Sequence, residues 1–120
     1  MTKETPGRSM EPKIIIPAST RAELRQWFLD NHESCREMWV RVNRGKQPVE
    51  GVVGYVDAVM EGLCFGWIDS TLKKIDDGFP LQRFSHRKKG SHWTELNIQR
   101  CHRLIEQGLM TEVGIKKMPL

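Results

Sequence analysis

The chain has 120 residues, a length that fits one folded domain with its own core. It is 38% hydrophobic and 28% charged with a mean hydropathy of −0.51, which is typical of a soluble globular protein. No apolar run approaches the ~18 residues of a membrane helix, and Met1 to Lys13 contains no apolar signal core. We therefore expect a cytoplasmic protein with no membrane span.

Three cysteines, Cys35, Cys64 and Cys101, are odd in number and widely spaced, unlike a disulfide framework, so we expect reduced thiols. The net charge of +4 is concentrated in one segment. Between Arg83 and Arg103, six cations face the single Glu95, so this segment carries +5. The basic character is local rather than general.

The first elements follow a polar leader. Residues 1–12 lack apolar periodicity, so we interpret them as a disordered lead before a single domain over residues 13–120. The β-branched run 13–16 between two prolines predicts a first or edge strand. Thr20 and Glu23 form a capping box, which predicts a helix over about residues 20–32.

The middle of the chain alternates strand and helix signals. Residues 37–43 predict a half-buried strand with Met38, Val40 and Val42 inside and Trp39 on the other side. Residues 55–66 predict a helix whose buried face contains the apolar residues Val56, Val59, Met60 and Leu63. Residues 67–75 and 81–84 predict a hairpin, joined through the turn signal at 76–78.

A third helix is predicted from Ser91, as the N-cap, to about Gln107. Its expected buried stripe consists of Trp93, Leu96, Cys101, Leu104 and Ile105. Gly108 is placed to end this helix, and residues 111–115 favour one further helical turn. The order β-α-β-α-β-β-α predicts an α+β fold, with a small, mainly antiparallel sheet packed against about three helices.

Several motifs occur in fixed order between residues 55 and 97: Gly66-Trp67-Ile68-Asp69, Leu81-Gln82-Arg83-Phe84, and Trp93 followed by Asn97. Together they resemble the YdeI/OmpD-associated family, also called bacteriocin-protection proteins, over roughly residues 14–112. The resemblance implies a role in tolerance of bacteriocins or cationic antimicrobial peptides. It brings no catalytic residues with it.

Aromatic and cationic residues alternate through the same block, a combination that suits an anionic or flat ligand. The candidate ligand-binding residues are Trp67, Asp69, Gln82, Arg83, Arg87, Ser91, Trp93 and Asn97. Arg83, Arg87 and the helix start at Ser91 form the predicted anion pocket. The alternative is that Arg83 pairs with Asp69 across neighbouring strands while residues 87–89 form a solvated loop.

The other candidates have structural interpretations that we favour. Trp67 and Trp93 serve packing more often than stacking, and Asp69 lacks the second carboxylate of an acid–base pair. Cys64 with His86 or His92 suggests a thiol nucleophile, yet its apolar helical face favours a buried inert thiol. Cys101 and the histidines lack zinc-ligand spacing, so we expect neither a metal nor a cofactor.

Three functional classes stay open. The first is a binding or stress-tolerance module whose partner is an anionic small molecule or another protein. The second is nucleic-acid binding, for which the basic segment supplies phosphate contacts, although the chain has no RNP-like or helix-turn-helix pattern. The third is an enzyme acting on a phosphorylated or carboxylated metabolite, and no nucleophile, base and orienting group occur at a recognisable spacing.

Overall fold

The computed structural model describes residues 11–119, so the predicted lead over residues 1–12 lies outside the described residues apart from Glu11 and Pro12. Five strands and four helices occur in this range. In chain order they are β1 (Ile15–Ile16), α1 (Arg21–Asn31), β2 (Glu37–Asn43), β3 (Val53–Gly54), α2 (Tyr55–Cys64), β4 (Trp67–Lys73), β5 (Leu81–His86), α3 (Glu95–Glu106) and α4 (Glu112–Lys117). The short β3 and the full length of α4 go beyond the predicted elements.

Strand β2 is the centre of the sheet, whose order is β1-β2-β5-β4. β5 pairs antiparallel with both β2 and β4, while the two-residue strands β1 and β3 pair parallel with β2. Since β5 occupies one edge of β2, β1 and β3 share the other edge. The predicted α+β class with a mainly antiparallel sheet is confirmed.

The N-terminus of α1 is capped as the sequence predicts, with one difference. The Thr20 hydroxyl accepts a hydrogen bond from the Glu23 amide at 3.1 Å. The Glu23 carboxylate returns to Ser19, from which it accepts the amide at 2.8 Å and the hydroxyl at 2.9 Å. These bonds lower the pKa of Glu23. The capping box therefore uses two adjacent residues before the helix: Thr20 accepts from the Glu23 amide, and Ser19 donates to the Glu23 carboxylate.

The core lies where α1 and α2 cover one face of the sheet. Phe28 of α1 stacks on Phe65 with ring centroids 5.3 Å apart and meets Trp67 edge-on at 5.1 Å. Leu24 and Leu63 are also buried in this cluster. Aromatic pairs at these separations stabilise beyond the area that they bury. The core thus fixes the start of β4, where Trp67 lies.

The prediction that β2 is half-buried was wrong at Trp39. Its indole is fully buried although it lies on the face opposite Val40. β2 is a central strand, and Trp39 is paired with Ile15 on one side and Arg83 on the other. The strands that pair with β2 on both edges help to shield Trp39 from water. The alternation of residues along β2 alone does not show this shielding.

Helix α2 buries Val59, Met60 and Leu63 as predicted, but its buried face differs from the prediction at two positions. Val56 is 49% exposed, whereas Glu61 is only 2% exposed. The Glu61 carboxylate accepts from Arg21 Nε at 2.6 Å and from Arg25 Nη1 at 3.0 Å. The charges of two arginines of α1 thus balance the charge of the buried carboxylate of α2, and their hydrogen bonds connect the two helices.

The predicted hairpin of β4 and β5 is confirmed. Trp67 lies opposite His86 and Asp69 opposite Phe84, with a bulge before Leu72. In the connecting turn Asp76 accepts from the Gly78 amide at 2.7 Å.

The predicted start of the third helix was wrong. The N-cap of α3 is Thr94, whose hydroxyl accepts from the Asn97 amide at 3.1 Å. Ser91 instead closes a turn, with its amide donating to Lys88 O at 3.1 Å. Cys101 and Leu104 are buried as predicted, but Leu96 and Ile105 are exposed and Trp93 precedes the helix. The shorter helix presents a narrower apolar stripe to the core.

The predicted end of α3 at Gly108 is confirmed. The Gly108 amide donates to Ile105 O at 3.0 Å and the Leu109 amide to Leu104 O at 3.0 Å, the pair of bonds of a Schellman motif. The chain then turns back into α4. A Cβ on Gly114 would lie 2.4 Å from Cys64 O, so only glycine lets α4 approach the end of α2 this closely.

Candidate functional site

A cleft between the end of β5 and the loops beside it concentrates positive charge. We call it the basic cleft; its volume is about 920 Å³. Among the described residues, six cations line it and Glu37 is its one carboxylate. The lining residues are Ile14, Ser34, Cys35, Arg36, Glu37, Arg83, Ser85, His86, Arg87, Lys88, Lys89 and Lys117. The predicted pair Arg83 and Arg87 therefore does share one cavity.

Arg83 pairs with Glu37, so the predicted pairing with Asp69 was wrong. Arg83 Nε donates to Glu37 Oε1 at 3.0 Å, and Nη2 makes a second, closer contact with the same oxygen. The register explains the choice: Arg83 lies opposite Trp39, whereas Asp69 lies opposite Phe84 on the other face of the sheet. The one carboxylate of the basic cleft is thus already occupied.

Arg87 is not part of a solvated loop, although Lys88 and Lys89 beside it are exposed. Its side chain is 2% exposed, and it forms no ion pair with a carboxylate among residues 11–119. Arg87 Nη1 donates to Ser91 Oγ and to His92 O, each at 3.1 Å. The guanidinium lies 3.8 Å from the centre of the Trp93 ring. Arg87 thereby shapes the loop 87–93 around itself.

The buried guanidinium adds a positive charge without a full counter-charge. Arg87 Nε has no hydrogen-bond partner in the described part of the chain. Burial lowers the pKa of Arg87, and the nearby Cys101 and Asp69 offset this only in part. A buried cation without a carboxylate is unfavourable in isolation, and an anion bound in the cleft would relieve that cost.

A second cavity adjoins the basic cleft. We call it the apolar depression; its volume is about 490 Å³. Its lining combines Trp93, Met118 and Pro119 with four lysines, Lys88, Lys89, Lys116 and Lys117, together with Gly90 and Ser91. Lys88, Lys89 and Lys117 line both cavities. The two predicted residues Ser91 and Trp93 therefore line the apolar depression, whereas Arg83 lines the basic cleft.

Lys117 of α4 is held at the junction of the two cavities. Its Nζ donates to Arg87 O at 2.6 Å. Its aliphatic stem lies against Gly66, where an added Cβ would come within 2.6 Å of Lys117 Cγ. Sequence reasoning missed Lys117 because it lies far along the chain from the basic segment. Arg36 and Lys116 were missed for the same reason.

Four predicted site residues line neither cavity. Trp67 is a core residue, 1% exposed. Gln82 is also buried, and its amide donates to Ser70 O and Thr71 O at 3.2 Å each, at the β4 bulge. Asp69 accepts from the Tyr55 hydroxyl at 2.7 Å. Asn97 accepts from Arg100 Nη1 at 2.9 Å.

The three thiols differ in their surroundings. Cys64 and Cys101 are fully buried, and burial raises the pKa of each to about 11, as expected of inert thiols. Cys35 is half-buried in the wall of the basic cleft. Among residues 11–119 no group of His, Cys, Asp and Glu side chains is arranged to hold a metal.

A third cavity, of about 420 Å³, lies beside the loop between β2 and β3. Its arginines already have partners within the fold. Arg21 pairs with Glu61, and Arg44 stacks over the Tyr55 ring at 4.0 Å. Since these charges are engaged, this cavity is a weaker candidate than the basic cleft.

Fold and site define a single-domain α+β protein with a two-part cationic cavity at one end of its sheet. The family model for a domain of unknown function, DUF8412, matches residues 16–117, so the chain belongs to this family. Comparison with curated proteins and with solved structures found no match. Within the described range, no helix has both the length and the apolar character needed to cross a membrane.

Proposed function

We propose that the protein is a binding module for a phosphate-bearing small molecule, held in the basic cleft. The observation that carries this proposal is the charge balance of the cleft, in which six cations face one carboxylate that is already paired with Arg83. Arginine and lysine side chains converging in a concave site are suited to phosphate oxygens.

A binding role is favoured over catalysis by the state of the reactive groups. Burial raises the pKa of Cys64 and Cys101, so neither thiol is a ready nucleophile at neutral pH. Asp69 is engaged by Tyr55 and lines neither cavity. The lining of the basic cleft provides charge and shape but no nucleophile activated by a base at hydrogen-bond distance.

The predicted stress-tolerance role is part of this proposal, as is a cytoplasmic location, which the three free thiols favour. A surface rich in lysine repels cationic peptides. We therefore propose that tolerance, if it involves this cavity, acts through an anionic ligand rather than by direct capture of the peptide.

Alkylation of Cys35 tests the proposal, because this thiol lines the cleft while Cys64 and Cys101 are buried internal controls. We expect pyrophosphate to slow iodoacetamide labelling of Cys35 severalfold, whereas chloride at equal ionic strength does not. The variant Lys88→Gln/Lys89→Gln is expected to lose most of this protection. Labelling of Cys35 at the same rate with and without pyrophosphate would contradict the proposal.

Nucleic-acid binding is a second candidate, favoured by the four lysines of loop 87–93 and α4 around the apolar depression. Against it, one face of Trp93 is covered by Arg87, so that face offers no platform for a base. A gel shift with single-stranded and duplex oligonucleotides over a salt series tests this class. Absence of a shift at low salt would eliminate it.

A further inference from the structure

The two cavities differ in what they offer a ligand. The basic cleft is lined by arginines and lysines, which suits phosphate groups. The apolar depression adds the apolar side chains of Trp93, Met118 and Pro119 to the four lysines of its lining. A phosphate group gains nothing from contact with apolar side chains. An organic group attached to the phosphate would bury apolar surface against them and bind more tightly.

Lys117 joins the two cavities physically. An ammonium group has three N–H donors, and the hydrogen bonds of the described residues use one of these for Arg87 O. Lys117 lines both cavities, so a ligand that spans them can accept from its remaining donors. Because the stem is packed on Gly66, the position of this charge is set by the fold rather than by a free side chain.

We infer that the ligand is a diphosphate ester with a compact apolar or aromatic organic group. Its diphosphate occupies the basic cleft and its organic group the apolar depression, with Lys117 bound to the diphosphate at the junction. This inference rests on the proposed function and names the ligand class of the same site. The volume of the apolar depression, about 490 Å³, is within the range of small-molecule sites.

Three probes separate the inference from the proposed function: pyrophosphate, a nucleoside diphosphate and an alkyl diphosphate, each titrated calorimetrically into the full chain. We expect one of the two esters to bind about tenfold more tightly than pyrophosphate, the factor for burying about 60 Å² of apolar ligand surface. A preference for the nucleoside ester identifies an aromatic group, and a preference for the alkyl ester an aliphatic one.

Variants test which residues bind the organic group of the ligand and which bind its diphosphate. Met118→Gln is expected to abolish the advantage of the ester and to leave pyrophosphate affinity unchanged, with Pro119→Ser as a second variant on an exposed position. Lys117→Met keeps the stem and removes the charge, so all probes should bind about tenfold more weakly. Lys46→Met, in the loop beside the third cavity, is the matched control for lost charge. Thermal unfolding of each variant verifies that it is folded.

The outcomes are distinct. If pyrophosphate binds and neither ester binds more tightly, the inference is wrong and the proposed function stands. If no probe binds, both are wrong. If the esters bind more tightly but Met118→Gln and Pro119→Ser keep that advantage, the organic group lies elsewhere and the assignment of the apolar depression is overturned.

Discussion

Replacing Gly66 by alanine tests how the fold positions the site. Gly66 has φ +78°, and an added Cβ would lie 2.6 Å from Lys117 Cγ. The left-handed conformation costs a non-glycine residue roughly 1–2 kcal/mol. Moving the Lys117 side chain away sacrifices its hydrogen bond to Arg87 O, worth about 1 kcal/mol.

Alanine also lowers the conformational entropy of the unfolded chain, which offsets about 0.4–1 kcal/mol of this loss in the free energy of unfolding. We therefore expect Gly66→Ala to lower the free energy of unfolding by about 2 kcal/mol and the urea midpoint by about 1 M. Gly108→Ala is the matched control, because its φ is +75° and an added Cβ would meet nothing within 4 Å. The control should lose only the conformational part, about 1 kcal/mol.

Affinity for pyrophosphate distinguishes the two variants further. Gly66→Ala displaces Lys117 from the junction of the cavities, so its affinity should fall severalfold, whereas Gly108→Ala should bind like the unmodified chain. Equal losses of stability in the two variants, together with unchanged affinity in Gly66→Ala, would refute the packing of Lys117 on Gly66.

Three further predictions concern the fold. Glu61→Gln should lower the free energy of unfolding by about 2 kcal/mol in urea denaturation, because two arginines lose a buried counter-charge but are partly exposed to water. Thr94→Ala should lower it by about 1 kcal/mol through loss of the α3 cap, and an unchanged urea midpoint would contradict that assignment. Burial raises the pKa of Cys64 and Cys101 to about 11, above the value of about 8.5 for an unfolded thiol. The stability from these neutral thiols is therefore complete below about pH 8.5 and is lost as the pH rises towards 11, so Cys64→Ala/Cys101→Ala should show a smaller decline between about pH 8 and about pH 10.

Local signals explain which parts of the fold were predictable. The Thr20 cap and the glycine at position 108 act through bonds to residues a few positions away, and both occur as predicted. The turn at Asp76 likewise lies within one short segment. Such features depend little on the rest of the molecule.

The sequence-based predictions were wrong where contacts between residues far apart in the chain determine the local structure. Ser91 satisfies the local preference for an N-cap, but Arg87 takes its hydroxyl and Thr94 caps the helix instead. Glu61 lies outside the predicted apolar face of α2, and it is buried because two arginines of α1 pair with it. Both outcomes depend on packing between elements, which periodicity along one element does not contain.

The candidate site likewise contains residues that the sequence predicts and residues that only packing between elements brings there. Arg83, Arg87, Ser91 and Trp93 do line the two adjoining cavities, because they follow one another around the end of β5. Lys117 joins them only through the packing of α4 against Gly66. The motif residues Trp67, Asp69, Gln82 and Asn97 contribute contacts within the fold instead.

Binding of phosphate groups in the basic cleft can be mapped by NMR, by following the backbone amide signals of the labelled protein during a titration with pyrophosphate. We expect saturable shifts for Lys88, Lys89 and Lys117 in the walls of the two cavities, with little change at Lys46 beside the third cavity. Saturable shifts confined to the loop around Lys46, or no saturable shift at all, would contradict binding in the basic cleft.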